Sequence, residues 1–596
     1  MSIRGQSAEA SQEIYKVQTR IKTLAAALMP TVLSAGVSWF AVDPMSETRF
    51  LPHAAPEGGE KGGTVRMIAA KDEYEPASFV LTADEDLGKV AVTIGELKTD
   101  DGKVFPKEKL DLRMVKVWYQ CGTAWWSYFG DPAHQKLCPE LLLHDEDLVK
   151  VDEKKEANYA RITEKDGKVW FRWLNPPGAV DGRIEDAGYT GYPGFNSDSF
   201  LSMAPNFRDA DVFTGVTLKK GVYKQLWLTA NVGKGVAAGV YRGVIRVRAE
   251  ERTASVRQQA IPFVLRVLDF ELPEPCTYLD CNRRFFTRFR PYLSLHHIMG
   301  VNGNDRALAG KQMVAILKNF AEHGLKLPSY LDRFSHFEWG REAGLDFTHP
   351  LYEAGDMTFT DKAAMRHHAR HLKADITKEI GWHNPLLGWG DEYGLKTLLG
   401  IRDMVKIYED EGFRFLCNSQ AGYEAGSYMI DCWRPPYAPD RASFEKAFKV
   451  SRLEEVELGW YAVQHVGVEN PAFCRRQYGF GPYRAGFTFD GNYAHHIQGW
   501  NDRTGDLFRP MMLIYGVNNG CLDTIAWEGF REGVDDIRYA TLLQRLAHKL
   551  VRSECTEARY AAKKALGLLA NADKDDMDLT TFRLEMIRHI LKLRTF

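Results

Sequence analysis

The sequence predicts a multidomain β plus α/β protein: an N-terminal β-sandwich, then a (β/α)8 barrel of the TIM type, then C-terminal helices. Three observations lead there. At 596 residues the chain exceeds what one hydrophobic core serves. From Trp39 to Leu272, short apolar strands recur with turn residues and no helices between them. After Leu272-Pro-Glu-Pro-Cys276, strand patterns and amphipathic helix patterns alternate repeatedly. The expected boundaries are a signal or anchor segment at 1–38, a sandwich at 39–272, a barrel at 273–545 and a helical segment at 546–596.

The N-terminal segment is expected to direct export. Thr23 to Val42 carries no charge and follows Arg20 and Lys22, which fits a secretory signal or an uncleaved anchor. The sandwich strands are Arg66–Ala69, Ala77–Leu81, Leu112–Tyr119, Leu226–Val232, Gly243–Ala249 and Ile261–Leu268. A long insertion at 120–214, rich in Trp, Tyr, Gly and Asp, is expected to help wall a cleft. The barrel series opens with a strand at Tyr278–Arg283 and a helix at Arg306–His323. A strand at Leu327–Leu331 and a helix from Asp361 to Ile380, capped by Thr360 or Asp361, come next. Strands at Leu386–Trp389, Phe413–Cys417, Tyr428–Cys432 and Glu457–His465 follow, with helices at Leu395–Glu411 and Ser443–Leu453. A short helix near Pro471 and strands at Gly486–Phe489 and Leu522–Ala526 close it.

Composition excludes several classes. A formal net charge of −2 gives no electrostatic case for nucleic acid. Nine scattered cysteines include no C-x-x-C pair, so neither a zinc ribbon nor a redox motif is expected. There is no phosphate loop, no G-x-S-x-G and no dinucleotide fingerprint. No cofactor and no metal are expected. His367 and His371, at i and i+4 on a helix, read as an exposed face, and His495-His496 carries no further signal.

The stretch Pro385–Gly394, P-L-L-G-W-G-D-E-Y-G, stands out. An apolar run suited to a buried strand ends in glycines, two adjacent carboxylates and an aromatic, Tyr393. Adjacent acids alternate faces in a plain strand, so both serve one site only where the strand bends or ends. Like charges in one pocket push their pKa values apart, leaving one proton donor and one anion. Two solvated carboxylates at a turn would look the same.

Further stretches add a resemblance. These are T-I-A-W-E-G-F-R-E-G-V-D-D-I-R-Y at Thr524–Tyr539, and K-D-E-Y-E-P-A-S-F-V-L and L-W-L-T-A-N-V-G-K-G-V-A-A-G-V-Y-R-G in the sandwich. With W-G-D-E-Y-G they resemble the family 123 glycoside hydrolases and their wider relatives, from about Trp39 to Tyr539. The resemblance implies a sandwich followed by a barrel. It also implies retaining hydrolysis of β-linked N-acetylgalactosamine, assisted by the substrate's own acetamido group. The family's Asp-Glu pair falls on Asp391 and Glu392. Glu392 would be the general acid/base, and Asp391 would hold the acetamido group.

Other candidates carry two readings each. Glu528, after Trp527, reads as a ligand of sugar hydroxyls, a nucleophile or an ion-pair partner of Arg531. Arg531, Glu532, Asp535 and Asp536 read as a helix-start network rather than catalysts. Trp433, Trp460, Tyr461 and Tyr493, near strand ends, read as a sugar platform or as core. Asp490 and Asn492 in F-D-G-N-Y are further sugar-binding candidates. Four arginines in Asn282–Arg290 suit a sulfate or carboxylate, or intramolecular pairing.

The function expected is an exported glycoside hydrolase acting on an N-acetylhexosaminide. Its partner is a glycan, and its only membrane contact would be the N-terminal anchor. The rivals are a glycosidase on a non-acetamido glycan, with Glu528 or Asp490 as nucleophile, and a non-catalytic glycan-binding surface protein.

Overall fold

The computed structural model describes residues 36–120, 136–164, 166–174, 207–249, 258–289, 306–325, 335–345, 347, 353–391, 393–424, 429–432, 442–453, 456–461, 470–492, 500 and 512–596. The expected leader lies outside them up to residue 35. The end of its uncharged run, Val37–Val42, is a strand with Trp39 buried, so these residues belong to the first sheet. Among the described residues no helix is long and apolar enough to cross a membrane.

Two sheets form the N-terminal unit. The six-stranded sheet runs Glu60–Lys61, Val37–Val42, Glu73–Ala83, Lys224–Val232, Leu110–Gln120, Lys136–Leu143. The five-stranded sheet runs Val216–Leu218, Gly88–Ile94, Gly239–Ala249, Gln259–Glu271, Val65–Lys71. Phe79, Leu81, Leu226 and Leu228 of the first share one core with Val92, Ile245, Phe263 and Leu265 of the second. The insertion contributes the strand Lys136–Leu143 and a separate three-stranded sheet over Val149–Trp173.

The second unit is a seven-stranded parallel sheet. Its order is Phe286–Phe289, Phe489–Asn492, Glu457–Tyr461, Met429–Cys432, Arg414–Asn418, Leu386–Asp391, Glu353–Asp356. The sheet is backed by the helices Lys362–Ile380 and Leu395–Glu409, whose Met365, Ile376, Leu398 and Val405 pack on Leu387, Phe415 and Cys417. Asp361 caps the first of these, its Oδ1 accepting from the amides of Ala363 and Ala364.

This corrects the expected fold class. The described residues form no closed (β/α)8 barrel, because the strands expected first and last do not join the sheet. Tyr278–Arg283 is a turn segment bracketed by the bridge between Cys276 and Arg284, and the parallel strand starts later, at Phe286. Gly486–Phe489 is displaced in the same direction: Gly486 takes a left-handed φ of 94° as a helix C-cap, and the strand is Phe489–Asn492. Leu522–Ala526 divides in two. Gly520–Asp523 pairs antiparallel with Ile514–Val517 as an isolated hairpin, and Thr524 caps a helix through its side chain and the Trp527 amide. A stretch this short, with Leu522, Ile525 and Ala526 apolar, suits strand or helix equally. The expected strand at Leu327–Leu331 lies outside the described residues.

The helix capped by Thr524, Ile525–Leu550, joins the two units. Its motif W-E-G-F-R-E-G-V-D-D is buried along its whole length. Gly529 and Gly533 leave room for the helix Pro471–Arg475: a Cβ on Gly533 would stand 2.5 Å from the Arg475 carbonyl oxygen, and one on Gly529 would strike that of Pro471. The acids of the motif meet arginines. Arg475 forks onto Asp536 at 2.7 and 2.9 Å. Arg583, from the last helix Leu579–Leu593, bonds Asp536 at 2.7 Å and also Glu532, and approaches Glu75 at 3.3 Å and Glu73 at 3.7 Å. Arg538 bonds Asp535 at 2.8 Å.

Carboxylates crowd this joint. Burial raises the Glu73 carboxyl, Asp535 and Glu532 push it further, and Arg583 only partly offsets them, leaving it at about 8. Its Oε2 accepts from the Ala70 amide and the Tyr539 hydroxyl at 2.6 and 2.7 Å. A carboxyl raised in the folded state keeps its proton after the unfolded chain has lost it. Its contribution is therefore complete below the unfolded value, near 4.5, and is lost as pH rises towards 8. Glu73→Gln fixes the neutral form. Denaturant titrations should show the variant gaining on wild type from pH 5 to 8, reaching about 2–3 kcal/mol. Parallel pH profiles for the two proteins would refute this.

Candidate functional site

Strand alternation defines two faces of the parallel sheet. Phe286, Leu386, Leu416 and Phe489 form one buried cluster on the inner face, with the Phe286 and Phe489 rings stacked at 5.0 Å. Two residues further along their strands, on the same face and towards the C-terminal edge, come Arg288 and Asn418, both buried polar side chains. Glycine keeps this face open elsewhere: a Cβ on Gly459 would strike the Phe489 ring, and one on Gly491 would stand 2.8 Å from the Arg288 carbonyl oxygen.

Asp391 ends its strand at this edge. Between Gly388 and Asp391 the register against Leu416–Asn418 slips, so Asp391 pairs with Asn418. An irregularity of this kind re-aims a residue at a sheet rim, and here it lies directly before the acid pair. Ser419, following Asn418, donates its hydroxyl to the Tyr393 carbonyl at 2.7 Å, tying down the chain beyond the acids. Tyr393 itself is 39% exposed, and Gly394 begins the next helix with an ordinary φ of −69°. Glu392, Trp433 and Tyr493 lie outside the described residues.

All seven strands are parallel, so their C-terminal ends share one edge. Asp391, Tyr461, Asp490 and Asn492 are brought to that edge together, with Trp460 and Asp490 in register. Alternation puts Trp460 and Asp490 on the outer face. The Trp460 ring stands 6.0 Å from that of Phe487, in the core that holds Phe444 and Phe448. Asp490 is fully buried, and among the described residues neither carboxyl oxygen has a hydrogen-bond partner. Burial holds its carboxyl well above the ordinary carboxylate range.

Trp527 and Glu528 stand elsewhere. They occupy the first turn of the joining helix, not a strand end. Trp527 stacks on Phe530 and His323 with centroids 4.6 and 4.7 Å away, and donates Nε1 to Asn319. Glu528 accepts from Trp227 of the first unit at 3.0 Å and from Arg531, and faces His323 at 3.3 Å. Burial would raise its carboxyl, but Arg531, His323 and Arg113 outweigh that and hold it at about 2.

Asn418 and Arg288 went unmarked in the sequence as individual residues. The signal was present: each is two positions after an apolar residue of an expected or observed strand. Of the other arginines in that cluster, Arg283 pairs with Glu457 at 3.0 Å and Arg284 with Glu274 at 3.6 Å.

No family model and no curated protein matches this chain. Among solved structures, a putative beta-galactosidase from Bacteroides fragilis is 8% identical and aligns over 78% of this chain and 60% of its own, at a TM-score of 0.28, too low to indicate a shared fold. A family 123 glycoside hydrolase from Clostridium perfringens, whose structure was analysed for glycolipid glycan hydrolysis, is 11% identical and aligns over 94% of this chain and 100% of its own, at a TM-score of 0.58. Across nearly its whole length, then, this chain resembles that family 123 glycoside hydrolase in fold.

Proposed function

We propose that the chain is a retaining glycoside hydrolase that removes β-linked N-acetylhexosamine, N-acetylgalactosamine first among them, with the substrate's acetamido group as nucleophile. The observation that carries this reading is the slipped register that brings Asp391 level with Asn418 at the C-terminal edge of the parallel sheet. Ligands of parallel α/β sheets bind beyond the carboxyl ends of the strands. The fold likeness to a glycoside hydrolase supports the same reaction class.

In this scheme the acetamido oxygen attacks the anomeric carbon as the glycosidic bond breaks. Glu392 protonates the departing oxygen. Asp391 accepts the acetamido N–H and stabilises the cationic oxazolinium. Glu392, now a carboxylate, then takes a proton from the water that opens the ring. An enzyme nucleophile is not needed. The two other acids considered for that part are placed otherwise: Glu528 is bonded to Trp227 and Arg531, and Asp490 faces the outer side of the sheet.

The test pairs two probes. A thiazoline mimic of the oxazolinium should inhibit wild type strongly and Asp391→Asn weakly, because tight binding tracks the transition state. Asp391→Asn should itself lose roughly 10²–10³ in rate, as when one preorganised electrostatic contact is removed. A 2-fluoro sugar should leave no covalent adduct. An adduct on Glu528 or Asp490 with no thiazoline effect would replace this mechanism with that of an enzyme nucleophile.

A further inference from the structure

His323 meets Asp523 and Glu528, two residues that lie close together about 200 positions further along the chain, at the joint between the two units. All three are buried, and one donor atom from each lies within 4.8 Å of the others. The His323 tautomer follows from its contacts. Nδ1 lies 2.8 Å from the main-chain carbonyl of Asn319, which can only accept, so Nδ1 carries the proton. Nε2 then faces Glu528 Oε1 at 3.3 Å. In a neutral ring with its proton on Nδ1, that contact sets one lone pair against another, which either a second ring proton or a cation beside them relieves. The spacing is that between two ligands of a tetrahedral ion with bonds of roughly 2.0–2.1 Å, which is about 3.3–3.4 Å.

The outer contacts are those that orient metal ligands. A ligating histidine usually donates its other ring nitrogen to a carbonyl or carboxylate, and ligating carboxylates are themselves hydrogen-bonded. Asn319 Nδ2 donates to Asp523 Oδ1 at 2.7 Å, and Arg113 bonds Oδ2. Trp227 and Arg531 both bond Glu528 Oε2, leaving Oε1 turned to His323. A cavity of about 190 Å3 opens beside the three residues. Its lining carries five carboxylates against Lys109, Arg113 and Arg531, a balance of −2 before His323 is counted. One proton on the imidazole would neutralise half of that, and a divalent cation would neutralise all of it.

We propose that His323, Asp523 and Glu528 hold one divalent transition-metal ion, of the zinc type, at the joint between the sandwich and the parallel sheet. One nitrogen and two carboxylate oxygens suit a borderline cation, and a fourth position faces the cavity. Its role is structural, because it ties Trp227 of the first unit, the helix Arg306–Glu322 and the joining helix to one centre.

The exposed pair His367 and His371, with rings 4.1 Å apart, would also take zinc and must be removed first. The full chain carrying His367→Ala and His371→Ala should retain one Zn2+ after desalting. Its melting temperature should rise by about 3–6 °C with zinc and fall back with EDTA. His323→Gln in that background should lose the zinc. Cobalt titrated into the double-alanine protein should give the visible absorption of a tetrahedral ion, a readout independent of whether His323→Gln folds. Absence of retained zinc and of a cobalt spectrum would overturn the proposal. So would zinc retained undiminished in a folded His323→Gln variant. Melting that ignores zinc and EDTA but falls as pH rises through the histidine range would assign the charge to a proton instead.

Discussion

Glu392→Gln should reduce turnover of natural glycans by about 10²–10⁴-fold, the usual contribution of a positioned general acid. Glutamine keeps the size and can still accept a hydrogen bond, but has no proton to give the departing oxygen. The loss should therefore follow leaving-group chemistry. With an activated aryl glycoside, bond breaking needs little protonation, and the first step should be nearly as fast as in wild type. The second step still needs a base for water, so a burst followed by slow turnover is expected in stopped-flow records. Added azide, which needs no base, should restore part of the rate. Near-wild-type activity on natural glycans would move the acid away from Glu392 and leave the slipped register at Asp391 without its proposed purpose.

Arg583→Met should destabilise the protein by about 3–5 kcal/mol. The side chain is buried and bonds Asp536 and Glu532, with Glu75 and Glu73 close by. Methionine fills much of the volume but leaves Glu532 with no cation in bonding contact among the described residues, and removing one partner of a buried ion pair costs this much. Arg475 continues to pair with Asp536, so the loss should centre on Glu532 and Glu75. Both carboxyls are already raised, chiefly by burial and by their acidic neighbours. Lowering the pH to about 5 should let them take up protons and return part of the lost stability. Arg583→Lys should restore little, because one ammonium does not reproduce a fork bonding two carboxylates and a carbonyl. An unchanged denaturation midpoint for Arg583→Met would show that the network adds nothing to stability.

The strands of the first unit were legible because their apolar positions recur at short spacing between turn residues. Each expected strand lies within an observed one, as Ile261–Leu268 does within Gln259–Glu271. The β/α alternation from Leu386 to Leu453 was legible for the same reason. Closure of the sheet was not. Leu522–Ala526 has apolar residues on both sides of Asp523 and Thr524, and the local sign that it turns into a helix was Thr524, whose hydroxyl caps the Trp527 amide. That misreading put Trp527 and Glu528 at a strand end, when they occupy the turn of a helix facing the first unit. Asp391 stood out in the sequence for its glycines and its adjacent acid, and it ends a strand of the parallel sheet. Arg288 and Asn418 needed the face alternation that only strand boundaries supply. The meeting of His323 with Asp523 and Glu528 leaves no local pattern, since 205 residues separate His323 from Glu528.

The reach of Arg583 bears on how the protein matures as it is made. Its contact with Glu75 spans 508 residues of chain. During synthesis the first unit can collapse early on its own sheets, since domains generally fold as units from the N-terminus. Glu73 and Glu75 then lack the guanidinium of Arg583 until the last helix has left the ribosome. At about 5–20 residues per second, the intervening chain takes roughly half a minute to two minutes to make. Until then water is the partner of these acids, and solvated carboxylates are charged at neutral pH. They are drawn into the interior, Glu73 taking up its proton, only when the guanidinium that completes the joint arrives.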